Sequence, residues 1–490
     1  MTSLTTGQAV VKSLLAHGVD TLFGIPGAHM YDFNDACHEH RDDLRFIVTR
    51  HEQGAGYMAF GYAKSTGKVG AYTVVPGPGM LNSSAALCTA YGATTPVLCV
   101  TGNIMSHLIG KGRGQLHELP DQLATMRGFM KWAERINAPE EAPGIVAEAF
   151  RQMLGGRNGP VAIEAPWNVY GKKGEVDLDG PLDLPAPPAP DPDRIEAIAD
   201  IVARARNPLI TVGAGALHAG EEILELARLL QCPVTAHRSG KGIVSEALPY
   251  GMSSAAAYEY WKSADLLIGI GSRLELQHFR WRWFPEGVNV VRIDIDPTEE
   301  DRIPSNAFAL ADSAEGTRAL VDALTRRVGN RDSREAEFEG LKAEAIAAIQ
   351  SVQPQMGYLS VIRDVLPSDG FFVEEICQAG FTARFGFPVY APRQYVTCGY
   401  QDNLGFGFNT ALGVKVANPD KPVVAICGDG GFMFGVQELA TAVHHGINLV
   451  TLVFNNQSYG NVRRDQMNVY DGRLVGADLA NPDFVKLAES

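Results

Sequence analysis

The stretch from Pro422 to Val462 constrains the fold of this chain more than any other. An apolar run, Pro422 to Cys427, ends at a glycine-rich turn, and a helical pattern then leads to a second apolar run, Leu449 to Phe454. This order predicts a βαβ unit of a parallel sheet. Asp429 and Asn456 follow the two runs, so we expect them at the carboxyl ends of neighbouring strands, where open α/β sheets bind ligands.

These polar residues favour a divalent cation beside a phosphate. Asp429 offers a carboxylate and Asn456 an amide oxygen, which are the hard oxygen ligands that Mg²⁺ or Ca²⁺ prefers. Gly428, Gly430 and Gly431 allow the backbone to approach a phosphate closely and supply N–H groups. The helix that follows would point its N-terminus at the same anion. The alternative is an ordinary strand, turn and helix capped by Asp429, which the asparagine pair after the second strand disfavours.

The motifs of this stretch resemble a known family. GDG at 428–430, NN at 455–456, QELATAV at 437–443 and NNQSYG at 455–460 are similar to the thiamine diphosphate (ThDP) motif of the acetolactate synthase and 2-oxo acid decarboxylase superfamily. The acetolactate synthase branch is the most similar. The resemblance implies ThDP and Mg²⁺ as cofactors. The implied metal ligands are Asp429, Asn456 and the carbonyl of Ser458; the implied cofactor contacts here are Gly428, Asp429, Gly430, Gly431, Asn456, Ser458, Tyr459 and Gly460.

Bulk properties limit the class of protein. With 490 residues the chain is long enough for three domains, and its net charge of -14 argues against nucleic acid or an anionic membrane as partner. No apolar run approaches the roughly 20 residues of a membrane-spanning helix. The N-terminus does not have the pattern of a signal peptide. Seven scattered cysteines fit a reducing compartment, so we expect a cytoplasmic protein.

Alternating strand and helix patterns predict an α/β protein with three doubly wound parallel-sheet domains. The proline-rich stretch LDLPAPPAPDPDR at 182–194 reads as a linker, and the predicted domains are residues 1–180, 190–345 and 355–490. By the resemblance these are the pyrimidine-binding, middle Rossmann-like and diphosphate-binding domains. Family members continue past the final DFVKLAES with a tail, so a C-terminal tail is expected to be missing from this sequence.

Glu52 is the main catalytic candidate of the first domain. It follows a predicted strand, Arg45 to Thr49, and begins a helix. The stretch RHEQGAGYMAFGYAKSTGKVG at 50–70 resembles the pyrimidine-binding domain of acetolactate synthases, which implies that Glu52 hydrogen-bonds N1′ of the cofactor. A carboxyl group in an apolar pocket has a raised pKa and can share its proton. The alternative is a helix N-terminal Glu stabilised by the helix dipole.

Other loops of the first domain depart from the family pattern. In PGPGM (76–80), Pro76 stands where a serine is usual, so a hydroxyl contact to the cofactor is in question. His29 follows GIPGA (24–28) and is a candidate for acid–base catalysis, against the alternative of a solvent-facing or helix-capping role. Glu118 takes the place of a pocket-lining Gln or Glu, with Gln115 as its rival. The alternative for this segment is a surface loop.

A third segment is expected to brace the cofactor. CGYQDNLGFGFNTALG (398–413) resembles the family segment that lies under ThDP. Leu404 matches the bulky residue that forces the cofactor into its reactive shape, and the carbonyl of Asp402 matches the acceptor for the 4′-amino group. Gln401 is a further candidate contact to cofactor or substrate. Several members carry FAD in the middle domain; FAD is compatible with this chain but not indicated.

The resemblance implies decarboxylation of a 2-oxo acid, carboligation, or both, through a C2 ylid and an enamine. One alternative is a ThDP-dependent lyase or hydrolase cleaving a C–C bond in a 2-hydroxy ketone, diketone or 2-hydroxyacyl-CoA. An alternative of another class is a non-catalytic, ThDP-binding regulatory subunit. The superfamily builds its active sites at subunit interfaces, so a homodimer or homotetramer is expected.

Overall fold

Strands and helices alternate along most of the chain. The structure, a computed structural model, describes residues 1–178, 180–281 and 283–490. In chain order the strands are β1 Thr2–Thr5, β2 Thr21–Gly24, β3 Arg45–Val48, β4 Gly70–Val74, β5 Val97–Asn103, β6 Trp132–Arg135, β7 Val161–Pro166, β8 Lys173–Val176, β9 Pro208–Val212, β10 Val234–Ala236, β11 Gly251–Met252, β12 Leu266–Ile270, β13 Asn289–Asp294, β14 Ala307–Leu310, β15 Phe371–Val373, β16 Tyr395–Val396, β17 Val423–Gly428 and β18 Val450–Phe454. The α-helices are α1 Thr6–Ala16, α2 Tyr31–Glu39, α3 Glu52–Thr66, α4 Pro78–Asn82, α5 Ser84–Gly92, α6 Gln122–Arg127, α7 Ala142–Leu154, α8 Trp167–Tyr170, α9 Pro192–Arg204, α10 Gly220–Leu230, α11 Ser254–Trp261, α12 Ser313–Thr325, α13 Glu335–Ile349, α14 Gln355–Val365, α15 Gln378–Gly386, α16 Gly407–Ala417, α17 Asp429–Phe432, α18 Leu439–His445, α19 Gly460–Val469 and α20 Phe484–Glu489.

The chain divides into two units. The first consists of Met1–Pro185, Cys398–Tyr459 and Arg473–Ser490, and the second of Ala186–Thr397 and Gly460–Gly472. Each unit contains parallel sheet flanked by helices, which confirms the predicted α/β class.

A six-stranded parallel sheet organises the start of the first unit, in the order β3-β2-β4-β5-β7-β6. Its central strands β2, β4, β5 and β7 are buried along their whole length, as expected for a sheet covered on both faces. Because parallel strands end at one edge, the loops that carry His29, Pro76 and Glu118 all leave the sheet from the same side.

The predicted βαβ unit of the last segment is present, but its helix is interrupted. β17 and β18 pair in parallel, with Gly428 opposite Phe454. Between them lie the four-residue α17, a 3-10 turn at Val436–Glu438, and α18. The predicted helix is therefore present in pieces, the first of which begins at Asp429, and an anion at its N-terminus stays a prediction. The break comes at Gly435, where an added Cβ would overlap the Asn409 side chain, so this backbone lies directly on α16.

Helix α3 packs closely against α16 within the first unit. A Cβ on Gly61 would overlap the Thr410 carbonyl, and one on Gly413 would overlap the Met58 carbonyl. Glycines therefore allow the two backbones to touch. This close crossing fixes α3, and with it the helix start at Glu52, against the last segment of the chain.

The second unit contains the six-stranded parallel sheet β11-β10-β9-β12-β13-β14, and its strands β15 and β16 also pair in parallel. The turns after β9 and β12 are in direct contact: a Cβ on Gly213 would overlap the Gly271 carbonyl. Arg273, in the second of these turns, donates to buried Glu299 at 2.8 Å. These contacts give no indication of FAD.

We expect the Gly61→Ala change to destabilise the first unit. The added methyl meets backbone rather than a movable side chain, and overpacking of this kind costs about 1–3 kcal/mol. Gly144→Ala is the matched control: Gly144 also lies in a helix, but nothing lies within 4 Å of its Cβ position. The control should gain up to about 1 kcal/mol from helix propensity. Thermal unfolding of the two variants should shift Tm in opposite directions; equal shifts would contradict this account of the crossing.

Candidate functional site

Asp429 sits at the end of β17 as the first residue of α17. It is almost fully buried, with 2% of its surface exposed. The following loop, which carries Asn456 and Ser458, begins directly after the paired end of β18. The Ser458 N–H donates to the Asn456 side-chain oxygen at 3.2 Å, which closes a tight turn. Asp429 and the loop that carries Asn456 and Ser458 therefore both follow directly from the ends of two adjacent strands.

Asn481 joins these two clusters. Its Nδ2 donates to Asp429 Oδ2 at 2.6 Å and to Asn455 Oδ1 at 3.0 Å. The surrounding segment is held by an isolated bridge between Ser458 and Asp478. Asn481 is not among the site residues predicted from sequence. A single sequence carries no signal for it, because it lies 52 positions from Asp429 and in no recognisable motif.

Tyr459 and Gly460 are two further predicted cofactor residues; Tyr459 belongs to the first unit and Gly460 to the second. A Cβ on Gly430 would lie 2.6 Å from the Tyr459 ring, so the glycine turn packs directly on that ring. Gly460 begins α19 and belongs to the second unit. Gly428 and Gly431 flank Asp429 and Gly430 as predicted.

The donor types fit a divalent cation, since a carboxylate, a side-chain amide and a backbone carbonyl are all hard oxygen ligands. In the described part of the chain, no three His, Cys, Asp or Glu side chains form a group that could hold a metal ion. A site made from Asp429, Asn456 and the Ser458 carbonyl would not be of that kind, because only one of its ligands is an acidic side chain.

Glu52 begins α3, as predicted, with its side chain 16% exposed. Its Oε2 accepts a hydrogen bond of 3.0 Å from Asn82 Nδ2, at the end of α4. An added Cβ on Gly79 would lie 3.4 Å from Glu52 Oε1, so the glycine keeps the space beside that oxygen. Glu52 and Asp429 share no hydrogen bond among the described residues.

The Pro76 turn is buried and anchored by a polar network. The Gly77 N–H donates to Gln122 Oε1 at 2.8 Å, and Gln122 Nε2 donates to Glu164 Oε2 at 2.7 Å. Arg135 pairs with the same buried Glu164 at 2.6 Å. The network holds the turn that connects β4 to α4, and Asn82 is the last residue of α4. This network was not predicted from sequence.

His29 is buried, with 3% of its surface exposed, and adopts a left-handed backbone conformation (φ 70°). Its Nε2 lies 3.0 Å from the Leu116 carbonyl, so Nε2 carries the proton and donates. Nδ1 is buried and has no hydrogen-bond partner among the described residues. The His117 and Trp167 rings lie 5.4 and 4.9 Å from the His29 ring. His29 is therefore neither solvent-facing nor a helix cap.

Burial lowers the pKa of His29; the hydrogen bond to Leu116 raises it and the nearby His117 lowers it again. The imidazole is consequently neutral near pH 7, and Nδ1 offers a lone pair. A buried lone pair of this kind can accept a hydrogen bond or a proton from a bound molecule.

The Glu118 side chain forms hydrogen bonds with the backbone of its own loop. Its carboxylate accepts from the backbone N–H of Gln115 at 2.8 Å and of Arg113 at 3.3 Å. The Gln115 hydrogen bond is the main reason why the pKa of Glu118 is lowered. Both predicted residues thus lie in one exposed loop, where Glu118 holds the backbone that carries Leu116 to His29.

The predicted cofactor-bracing loop lies in the first unit. A Cβ on Gly92 of α5 would lie 2.9 Å from Gln401, and Asp402 has a left-handed backbone (φ 44°). Leu404 is half-buried. A Cβ on Gly405 would lie 2.6 Å from Phe434, which follows α17. The loop therefore runs from α5 towards the GDG segment.

Comparison with known proteins identifies the family. Three thiamine pyrophosphate (ThDP) enzyme domain models match the chain: the N-terminal TPP binding domain at residues 4–125, the central domain at 195–321 and the C-terminal TPP binding domain at 376–490. The chain belongs to this family and is an acetolactate synthase-like, ThDP-dependent enzyme. Membership disfavours the non-catalytic alternative.

Curated relatives extend over the whole chain. A Pseudomonas aeruginosa protein described as "Probable 2-ketoarginine decarboxylase AruI" is 33% identical over 496 residues, covering 100% of this chain and 88% of its own length. A "Probable acetolactate synthase large subunit" of Methanocaldococcus jannaschii is 33% identical, covering 99% of this chain and 85% of its own. The "Acetolactate synthase large subunit" of Haemophilus influenzae is 30% identical, covering 100% and 89%. None of the described helices is long and apolar enough to cross a bilayer.

The lowered pKa of His29 predicts a pH effect on stability. A histidine whose folded-state pKa lies below its ordinary value of about 6.5 stabilises the fold above that pH. The contribution is lost as pH falls from there through the folded pKa. Wild type should therefore lose more stability between pH 7.5 and 5 than His29→Gln does, measured as Tm against pH. His38→Gln, at an exposed position in α2, should follow wild type, and parallel curves for all three proteins would refute the prediction.

Proposed function

We propose that this enzyme uses ThDP and Mg²⁺ to decarboxylate a 2-oxo acid, and releases an aldehyde or joins the remaining fragment to a second carbonyl as a 2-hydroxy ketone. One observation carries the proposal most directly: Glu52 stands at the first turn of α3 with Asn82 on one carboxylate oxygen and glycine-lined space beside the other. That arrangement suits a carboxyl group that exchanges one proton with a flat heteroaromatic ring.

Asp429, Asn456 and the Ser458 carbonyl would hold Mg²⁺, with Asn481 orienting Asp429. The Gly428–Gly431 turn brings backbone N–H groups to the same place, which suits a diphosphate. ThDP, when bound, supplies the electron sink that accepts the electron pair freed as CO₂ leaves. Leu404, Asp402, Gln401 and the Pro76 turn are the proposed contacts to the rest of the cofactor.

Glu52 would hold the proton that is exchanged with the aminopyrimidine ring. Asn82 keeps Oε2 in place at 3.0 Å, and Oε1 has no hydrogen-bond partner in the described part of the chain. A fixed carboxyl group with one available oxygen is well placed for general acid–base catalysis.

The substrate side is proposed at the cluster of His29, His117 and Trp167. The aromatic rings exclude water, and neutral His29 offers its Nδ1 lone pair to a hydrogen-bond donor on the substrate. The relative described as a probable 2-ketoarginine decarboxylase makes a 2-oxo acid with a nitrogen-rich side chain a leading substrate class. Such a side chain is rich in N–H donors. Glu118 and Gln115 would act here by shaping the loop that carries Leu116.

The buried Nδ1 of His29, which has no partner among the described residues, also favours a second candidate function, C–C lyase activity on a 2-hydroxy ketone. That reaction needs a base for the substrate hydroxyl, and a neutral imidazole with a free lone pair can take the proton. Product analysis distinguishes the two reactions, because only the first releases CO₂.

We further propose a homodimer or homotetramer in the cytoplasm, with each cofactor between Glu52 of one subunit and Asp429 of another. The motifs around Glu52 and Asp429 resemble a superfamily that builds its active sites at subunit interfaces, and this resemblance supports the assembly. The described cysteines form no disulfide with one another, which suits a reducing compartment.

Glu52→Gln should retain ThDP and lose turnover. The amide can still contact the ring but cannot exchange a proton, so kcat should fall by about 100-fold to 10,000-fold. Asp429→Ala should instead weaken cofactor binding itself. Calorimetric titration with ThDP in Mg²⁺ and steady-state turnover separate the two effects; unchanged kcat in Glu52→Gln would overturn the role of Glu52.

A substrate panel tests the reaction. We expect CO₂ release from at least one 2-oxo acid, with 2-ketoarginine and pyruvate as the first pair. 2-Hydroxy ketones should be tested beside them, with aldehydes and ketones analysed as products. Cleavage of a hydroxy ketone without CO₂ release from any 2-oxo acid would favour the lyase. Chelation of divalent metal should abolish activity, and Mg²⁺ should restore it.

A further inference from the structure

Glu438 is a fully buried carboxylate (0% exposed) in the 3-10 turn before α18. The backbone N–H of Arg50 donates to both of its oxygens at 3.1 Å, and the N–H of His51 donates to Oε1 at 2.9 Å. The residue thus reaches from the last segment of the first unit to the two peptide groups directly before Glu52, 387 and 388 positions away in sequence.

The carboxylate is held on its other side as well. Thr441 Oγ1 donates to Oε2 at 2.6 Å. Burial raises the pKa of Glu438, while the bonds from Thr441, Arg50 and His51 lower it. A buried carboxylate without such donors would be strongly unfavourable, so the hydrogen bonds and the burial depend on each other.

The first turn of α3 packs tightly against this carboxylate. A Cβ on Gly54 would lie 2.6 Å from Glu438 Oε1, so the first turn of α3 lies directly on the carboxylate. The negative charge also meets the N-terminus of a 15-residue helix, where the helix dipole favours it. Nearby, His445 Nε2 of α18 accepts from the Val48 N–H at 2.9 Å.

Three peptide N–H groups between the end of β3 and Glu52 therefore bond to side chains of one short segment. These bonds fix the backbone direction at the start of α3, and the backbone direction sets where the Glu52 carboxyl group points. Asn82 completes the arrangement by holding Oε2. A shift of about 1 Å in a catalytic group is enough to cost a large factor in rate.

We propose that Glu438 is a positioning residue for Glu52: its carboxylate clamps the Arg50 and His51 amides and so holds Glu52 at the geometry needed for proton exchange with the bound cofactor. The inference rests on the proposed role of Glu52. It assigns to Glu438 no contact with substrate or cofactor.

The test uses Glu438→Gln, which keeps the size of the side chain but replaces one acceptor oxygen by a donor that opposes the Arg50 and His51 N–H groups. Exchange of the C2 proton of bound ThDP for deuterium is followed at saturating ThDP and Mg²⁺ without substrate. Amide hydrogen exchange of the peptide containing residues 48–54 is followed in the protein without cofactor. Glu52→Gln is the reference for complete loss of the proton site.

Gln437→Ala is the matched control, because Gln437 lies in the same turn and its side chain donates to the Phe434 carbonyl rather than to the 48–54 segment. We expect C2 exchange to slow by about tenfold or more in Glu438→Gln and to stay within about twofold of wild type in Gln437→Ala. Amide exchange at Arg50 and His51 should rise only in Glu438→Gln. ThDP affinity should change little in either variant.

The outcomes separate the inference from the function on which it rests. If Glu52→Gln slows C2 exchange and Glu438→Gln does not, positioning by Glu438 is refuted and the role of Glu52 stands. If Glu52→Gln leaves exchange unchanged, the proposed function fails first. Slower C2 exchange in Glu438→Gln without faster amide exchange at Arg50 and His51 would also overturn positioning.

Gly54→Ala provides an independent route if Glu438→Gln does not fold. The added methyl displaces the Glu438 carboxylate without changing its chemistry, and alanine is the better helix former. Slow C2 exchange in this folded variant supports the proposal, and wild-type exchange refutes it.

Discussion

The close contact between α3 and the last segment of the first unit is the constraint on which the site depends. Glycines at Gly61 and Gly413 let α3 and α16 touch backbone to backbone. At its start, α3 rests on the buried Glu438 carboxylate. Residues almost four hundred positions apart are thereby held in contact, so the geometry of Glu52 is set by tertiary contacts and not by its own helix alone.

Local sequence patterns predicted strands and the start of a helix, because these depend on residues that are close in sequence. Continuous apolar runs gave β17 and β18 within one or two residues, and the change from strand to helix pattern placed Glu52 at the first position of α3. Buried parallel strands need such runs because both of their faces are covered. The GDG and NN motifs led to the family, which the domain matches confirm.

Contacts between distant segments could not be read in the same way. Asn481 and Gln122 look like ordinary polar residues in sequence, and the motif that contains Glu438 does not name its partner; only the fold brings these three residues to Asp429, Gly77 and His51. Glu118 shows the opposite case. Its carboxylate accepts hydrogen bonds from the Gln115 and Arg113 N–H groups of its own loop, and its place lining a pocket stays a prediction. The assignments of individual site residues remain predictions.

Asn481 has a consequence for the chemical ageing of the protein. Asparagine side chains deamidate when the next backbone nitrogen attacks the amide carbon, and the product is a carboxylate. Here that carboxylate would stand in place of a donor 2.6 Å from Asp429, and two negative charges would face each other in a buried place. The following residue is Pro482, whose ring nitrogen has no hydrogen to lose. The Asn-Pro sequence therefore closes this route of deamidation for the amide that joins the ends of β17 and β18.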